Sequence, residues 1–267
     1  MQLVELQDNL AEIHRRGLGL AAISYDIPAI LKSFSDRRKL GYPLLSDPGS
    51  KIIRAYGLLN ETIPPGPFFG IPYPGTYILD HDGKVVAKYF EDDYTQRFTA
   101  SDILIRQFGA AAGAAHSTVA SKHLKIATSA GTAVVHTGQR IALTVDISAP
   151  PGVHVYAPGV TGYIAIDLSV ADSPSYAVHP AVYPPSNTMR LAAIDETVPV
   201  FVGDFRVLRE ITISKSAVPG ELTVEGQLRS QACDEKQCYV PETVPLKWIL
   251  RVEPLDRQRA PAEIQHK

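Results

Sequence analysis

Cys233 and Cys238 are the only cysteines among 267 residues, and four residues separate them. A hairpin of that length can bring two Cα atoms within the roughly 4.4–6.8 Å that a disulfide requires. Closing so small a loop removes only about 2 kcal/mol of denatured-state entropy, the low end for disulfides. A structural staple would gain more across a long loop. The pair is therefore better suited to thiol–disulfide exchange, in which a thiolate attacks a disulfide sulfur in line and passes through a mixed disulfide. A plain hairpin brace is the alternative. Zinc would need two further ligands, and the histidines nearest in sequence, His179 and His266, show no paired spacing. No metal and no cofactor is expected. Lys236 between the cysteines would favour a thiolate, while Asp234 and Glu235 oppose it.

Other chemistry-bearing residues are sparse. His14, His116, His123 and His136 are scattered and read as solvated surface groups. Asp92 and Asp93 beside Tyr94 offer too few oxygen ligands for a metal. No phosphate-cradling glycine loop and no Ser/His/Asp arrangement stands out. The balance of 26 basic against 28 acidic residues argues against a nucleic-acid partner. A hydrophobic fraction of 45% fits a globular chain. No run of about 18 apolar residues suggests a membrane span. The start, MQLVELQDNLAEIHRR, mixes acidic with apolar residues, so no export signal is expected in it.

Two periodicities divide the chain. In the first half Leu3, Leu6, Leu10 and Ile13 are spaced three or four apart, as on one helix face. Residues 18–24 read as a buried strand. Asp26 is expected to cap a second helix with Pro28 in its first turn. A third helix is expected over 51–56, a proline-rich loop over 63–75, and strands over 76–80 and 84–90 joined by His81-Asp82-Gly83. A helix over 102–108 closes the half. In the second half Ile141, Leu143, Val145 and Ile147 alternate with other residues, and similar runs recur at 163–170, 206–213, 222–228 and 246–252. Short strands without helices suggest an antiparallel β-sandwich, with Trp248, the single tryptophan, in its core. The expected organisation is an α/β domain over 1–108, a linker over 109–125, an all-β domain over 126–255 and a tail over 256–267.

Tyr42-Pro43-Leu44-Leu45-Ser46-Asp47-Pro48, Arg54-Ala55-Tyr56-Gly57-Leu58 and Pro74-Gly75-Thr76-Tyr77-Ile78-Leu79-Asp80 with Asp82-Gly83-Lys84-Val85 carry a resemblance. Residues 1–108 resemble the AhpC/TSA-type redoxins of the thioredoxin superfamily. The resemblance implies a cis bond at Pro74, packed against an active-site cysteine. It places that cysteine at the start of the helix matching residues 3–13. The first half holds no cysteine, so thiol chemistry cannot arise within it. The family's sheet also sets a further strand between those matching 18–24 and 76–80. An N-terminally shortened, incomplete thioredoxin-like domain is the expectation. The alternative is a closed-up remnant in which those two strands pair directly.

Gln231-Ala232-Cys233-Asp234-Glu235-Lys236-Gln237-Cys238-Tyr239-Val240-Pro241-Glu242 and Gly152-Val153-His154-Val155-Tyr156-Ala157-Pro158 carry a second resemblance. Residues 126–253 resemble the N-terminal domain of the thiol-disulfide interchange protein DsbD, an immunoglobulin-like sandwich with a redox cysteine pair. The resemblance implies that Cys238 is the exposed attacking residue and Cys233 the resolving one. Tyr156 and Tyr239 would wall the pair, and His154 stands where the family often has an aromatic. The implied function is thiol-disulfide exchange with protein thiols, with a thioredoxin-like redox partner or the redoxin active site as correspondent. Such a relay belongs to an extracytoplasmic, periplasm-like compartment. The competing readings are a noncatalytic interaction protein with a structural hairpin disulfide, and a shortened peroxiredoxin-like peroxidase.

Overall fold

The computed structural model describes residues 2–66, 69–91, 96–109, 114–191, 196–255, 258 and 260–264. Asp92, Asp93, Tyr94 and His266 lie outside the described residues. The chain forms two compact units, Met1–Gln107 with Leu255–Lys267, and Phe108–Pro254.

The first unit is α/β. It runs α1 (Gln2–Asp8), α2 (Leu10–Arg15), β1 (Ala22–Ser24), α3 (Pro28–Arg38), β2 (Leu44–Ser46), α4 (Lys51–Ala55), β3 (Gly75–Leu79), β4 (Val85–Phe90), β5 (Arg97–Phe98) and α5 (Ala100–Phe108). The expected first helix is two helices. Asn9 breaks it, its side-chain amide donating to the Glu5 carbonyl at 2.9 Å, because asparagine competes with the helical ladder for backbone acceptors. Asp26 does not cap α3. Its carboxylate accepts the Ser24 hydroxyl, and Ile27 is the N-cap with Pro28 following. Asp47 acts as a cap instead, accepting the amides of Lys51, Ile52 and Ile53 at 3.0, 2.9 and 2.8 Å.

The strands of this unit pair in twos. β1 and β2 are parallel, Ala22 facing Leu44 and Ser24 facing Ser46. β3 and β4 form an antiparallel hairpin, its turn held by the Asp80 carboxylate, which accepts the amides of Asp82 and Lys84. Among the described residues no ladder joins β1 to β3, so the direct pairing of the closed-up alternative is not observed. The Pro74 expectation is corrected: every peptide bond among the described residues is trans. Trans is the default for an X-Pro bond by about 0.5–1 kcal/mol. The tail joins this unit through Arg37, whose guanidinium donates to Gln258 Oε1 at 2.8 Å.

The second unit is an immunoglobulin-like antiparallel β-sandwich. Its strands are β6 (Ala114–Val119), β7 (Lys125–Ala130), β8 (Val134–Val135), β9 (Gln139–Ser148), β10 (His154–Tyr156), β11 (Asp167–Val170), β12 (Tyr176–Val182), β13 (Asn187–Leu191), β14 (Glu196–Val202), β15 (Asp204–Ile213), β16 (Gly220–Ser230), β17 (Ala232–Cys233) and β18 (Glu242–Val252). The expected linker thus contains a strand, β6, which pairs with β7. One sheet has the order β12-β15-β9-β7-β6 within this unit, and a second the order β11-β16-β18-β8. Alternation builds the core between them. On β18, Val244, Leu246, Trp248, Leu250 and Val252 point inward while Thr243, Pro245, Lys247, Ile249 and Arg251 face out. Ile141, Leu143, Val145, Val207 and Ile211 meet them from the other sheet. Trp248 is fully buried, and its indole N–H donates across the layers to the Ser129 carbonyl at 3.0 Å. Gly226 lets strands and ring approach closely, since a Cβ there would sit 2.7 Å from the Ser169 carbonyl oxygen. A third sheet, β13-β14-β10-β17, holds the cysteines.

Candidate functional site

The third sheet has two different faces. Val155, Phe201 and Ala232 turn into the main core. On the opposite face Tyr156, Val198, Val200 and Cys233 form a second small cluster, with Val160, Tyr163 and Met189 packed against it. β10 lies between β14 and β17, so His154 stands opposite both Val202 and Cys233. The period of two therefore sets His154, Tyr156 and Cys233 on one side of the sheet.

Beyond Cys233 the chain reverses over four residues. Asp234 organises the turn: its Oδ1 accepts the amides of Lys236 and Gln237 at 2.7 and 2.9 Å, and its own amide donates to the Gln237 carbonyl at 2.9 Å. This side-chain-to-backbone pattern is an Asx turn. It returns Cys238 opposite Cys233 as an antiparallel bridge. The sulfurs are bonded, with S–S 2.09 Å and Cα atoms 4.0 Å apart. The two sulfurs are not equivalent. Cys233 is 1% exposed, whereas Cys238 lies open to solvent.

Aromatic rings frame the bond. Tyr156 Oη lies 3.7 Å from Cys238 Sγ. Burial, then the Glu196 charge, raises its phenol above the ordinary tyrosine range, so it stays protonated. Tyr163 stacks on Tyr156 at 4.4 Å and donates to Glu196 at 2.9 Å. On the other flank Tyr239 donates to Asp234 Oδ2 at 2.6 Å, and the His123 ring stacks on Tyr239 at 3.9 Å. That phenol first, and then the two turn amides, hold the Asp234 carboxyl below its usual range. His154 is 4% exposed and meets the Tyr156 ring edge-on at 5.4 Å. Burial lowers its pKa, partly opposed by Asp234.

Five of the six residues singled out from sequence, Cys233, Cys238, Tyr156, Tyr239 and His154, thus gather around one bond. Pro74 belongs to the α/β unit. Sequence reasoning treated Asp234 only as a charge opposing a thiolate, although aspartate at the head of Asp-Glu-Lys-Gln is a turn signal. It placed His123 at the surface and passed over Tyr163. Both are far from the cysteines in sequence, and nothing local points to them.

The two halves match different families. Residues 1–88 match the AhpC/TSA family, and residues 124–247 match the N-terminal domain of the thiol:disulfide interchange protein DsbD. The first half is similar to a Mycobacterium tuberculosis protein named as a peroxiredoxin, with 34% identity over 89 residues, 33% of this chain and 57% of the relative. It is also similar to the peroxiredoxin Bcp of Escherichia coli K12, with 30% identity over 98 residues, 35% of this chain and 59% of the relative. The chain therefore spans a little over half the length of these relatives. Among solved structures, the N-terminal periplasmic domain of ScsB from Proteus mirabilis aligns with a TM-score of 0.37 and 13% identity, covering 52% of each chain. The reduced N-terminal domain of Neisseria meningitidis DsbD aligns with a TM-score of 0.30 and 15% identity, covering 41% of this chain and 78% of that one. The DsbD-N-like region contains the whole cysteine hairpin, and the AhpC/TSA-like region contributes no cysteine.

Proposed function

We propose that the protein is a thiol-disulfide oxidoreductase whose Cys233–Cys238 bond exchanges with protein thiols. The observation that carries this reading is the asymmetry of the pair, Cys238 an exposed residue and Cys233 1% exposed. A client thiolate attacks Cys238 Sγ and expels Cys233 as a thiolate. The client's second thiol then releases Cys238, so two electrons pass from a client dithiol to the pair. Run backwards, Cys238 attacks a client disulfide and Cys233 resolves the mixed disulfide. Tyr156 and Tyr239 limit access to the bond. Val240, 85% exposed beside Cys238, offers an apolar contact to the client chain. The match to the DsbD N-terminal domain supports a thioredoxin-like client. A merely structural bond is disfavoured because Asp234 already holds this turn with backbone hydrogen bonds.

The test is equilibration of the pair in thiol–disulfide redox buffers. A potential near about −200 mV is expected, and one below about −300 mV would reduce the bond to a brace.

A further inference from the structure

His154 is the least explained polar group near the bond. Its side chain is 4% exposed, and Nε2, fully buried, makes no hydrogen bond among the described residues. A buried imidazole nitrogen left without a partner costs about 1–3 kcal/mol. Register places it directly opposite Cys233 on the same face of the sheet. Facing residues of an antiparallel pair hold their Cβ atoms about 4.5–5.5 Å apart, so the His154 and Cys233 side chains are neighbours on that face. Around it, Val202 on β14 carries no charge, Tyr156 on its own strand is a protonated phenol, Cys233 faces it from β17, the Asp234 carboxylate acts on it directly, and Glu196 lies on the far side of Tyr156 and Tyr163. In the oxidised protein the Cys233 sulfur carries no proton, so the nitrogen has nothing to exchange with it.

We propose that His154 is the general base that takes the proton of Cys233 during resolution, an inference that rests on the exchange reading above. With the pair reduced, Cys238 as thiolate attacks a client disulfide and expels one client thiolate, leaving a mixed disulfide. The Cys233 sulfur then attacks Cys238 Sγ while its proton moves to His154 Nε2. The Cys238–client S–S bond breaks, the Cys233–Cys238 bond forms, and the second client thiolate leaves and takes up that proton. Two electrons have passed from the cysteine pair to the client disulfide. In the opposite direction the imidazolium protonates Cys233 as it is expelled. A free thiol of pKa about 8.5 is only about 3% thiolate at pH 7, so a base acting in the step can supply up to about 30-fold.

The experiment follows release of the second thiol from a preformed mixed disulfide between Cys238 and a small aromatic thiol, from pH 5 to 10, in the wild type and in His154→Phe and His154→Tyr. Both replacements keep an apolar ring on the sheet. The variants should resolve about 10- to 30-fold more slowly at pH 7 and converge on the wild type above about pH 9, where solvent makes the thiolate. Equal rates at pH 7, or a loss that persists unchanged to pH 10, would overturn the role. Histidine NMR of the unmutated protein gives a readout independent of refolding: the His154 pKa should rise on reduction of the pair, and an unchanged value would also overturn it. If the wild type forms no mixed disulfide at Cys238, the exchange reading itself fails. If it exchanges normally and His154 is silent, only the present inference does.

Discussion

The two units treat their strands in opposite ways. In the sandwich, β16 and β18 pair over their full 11 residues, and β9 and β15 over nearly all of their 10. In the α/β unit, β1 and β2 are three residues each, and the four principal strands form two separate ribbons. The sandwich therefore carries a continuous fully buried core, from Ile141 and Leu143 through Trp248 to Leu250, whereas the α/β unit relies on caps and helix packing around residues such as Ile53 and Leu104. A two-residue strand can present a disulfide only because a large rigid platform lies under it. The half that matches the AhpC/TSA family has no cysteine and, among the described residues, no continuous sheet to present one.

That contrast can be broken at its strongest point first. Cys238→Ser should abolish exchange with a model disulfide, while Cys233→Ser should accumulate a trapped mixed disulfide, both read by mass spectrometry. Retained turnover in Cys238→Ser would move the chemistry elsewhere. Trp248→Ala should destabilise the sandwich by about 3–5 kcal/mol through the cavity it opens, with the Ser129 carbonyl losing its donor as well. Two resolved calorimetric transitions, only one of which shifts, would confirm that the units unfold separately.

The α/β unit should show a pH dependence of its own. Burial raises Glu5 to about 7, partly opposed by its hydrogen bonds from Ser101. Its folded pKa lies above its unfolded value near 4.5, so the folded state binds more protons between the two. Stability from this group is complete below about pH 4.5 and is lost as pH rises through about 7, a fall on the order of 3 kcal/mol. Glu5→Gln should flatten the dependence in denaturant titrations. A profile unchanged by that substitution would show that Glu5 is not its source. The smallest effect is expected from Asp47→Ala, which removes the acceptor of three α4 amides and should cost about 1–2 kcal/mol, with the sandwich transition unmoved.

Much of this was legible from residue order. The two halves change hydrophobic period, so their classes could be read directly, and β9, β15, β16 and β18 fall where alternation runs longest. Short strands such as β10 and β17 carry too few residues for a period, and β6 follows a run of alanines and glycines that reads as a linker. The helix break at Asn9 and the Asp26 cap that does not form have one reason. Each has a short polar side chain with several backbone partners in reach, and the choice among them is made by neighbours.

The residues themselves determined that a cysteine pair five positions apart would close a tight hairpin, because the reach of four intervening residues and a turn-forming aspartate are local properties. Only the tertiary structure decided which sulfur is buried, that His154 faces it, and that Tyr163 and His123 complete the surround. Those relations come from strand register and from packing against residues far from the hairpin in the chain, which no pattern within the hairpin encodes.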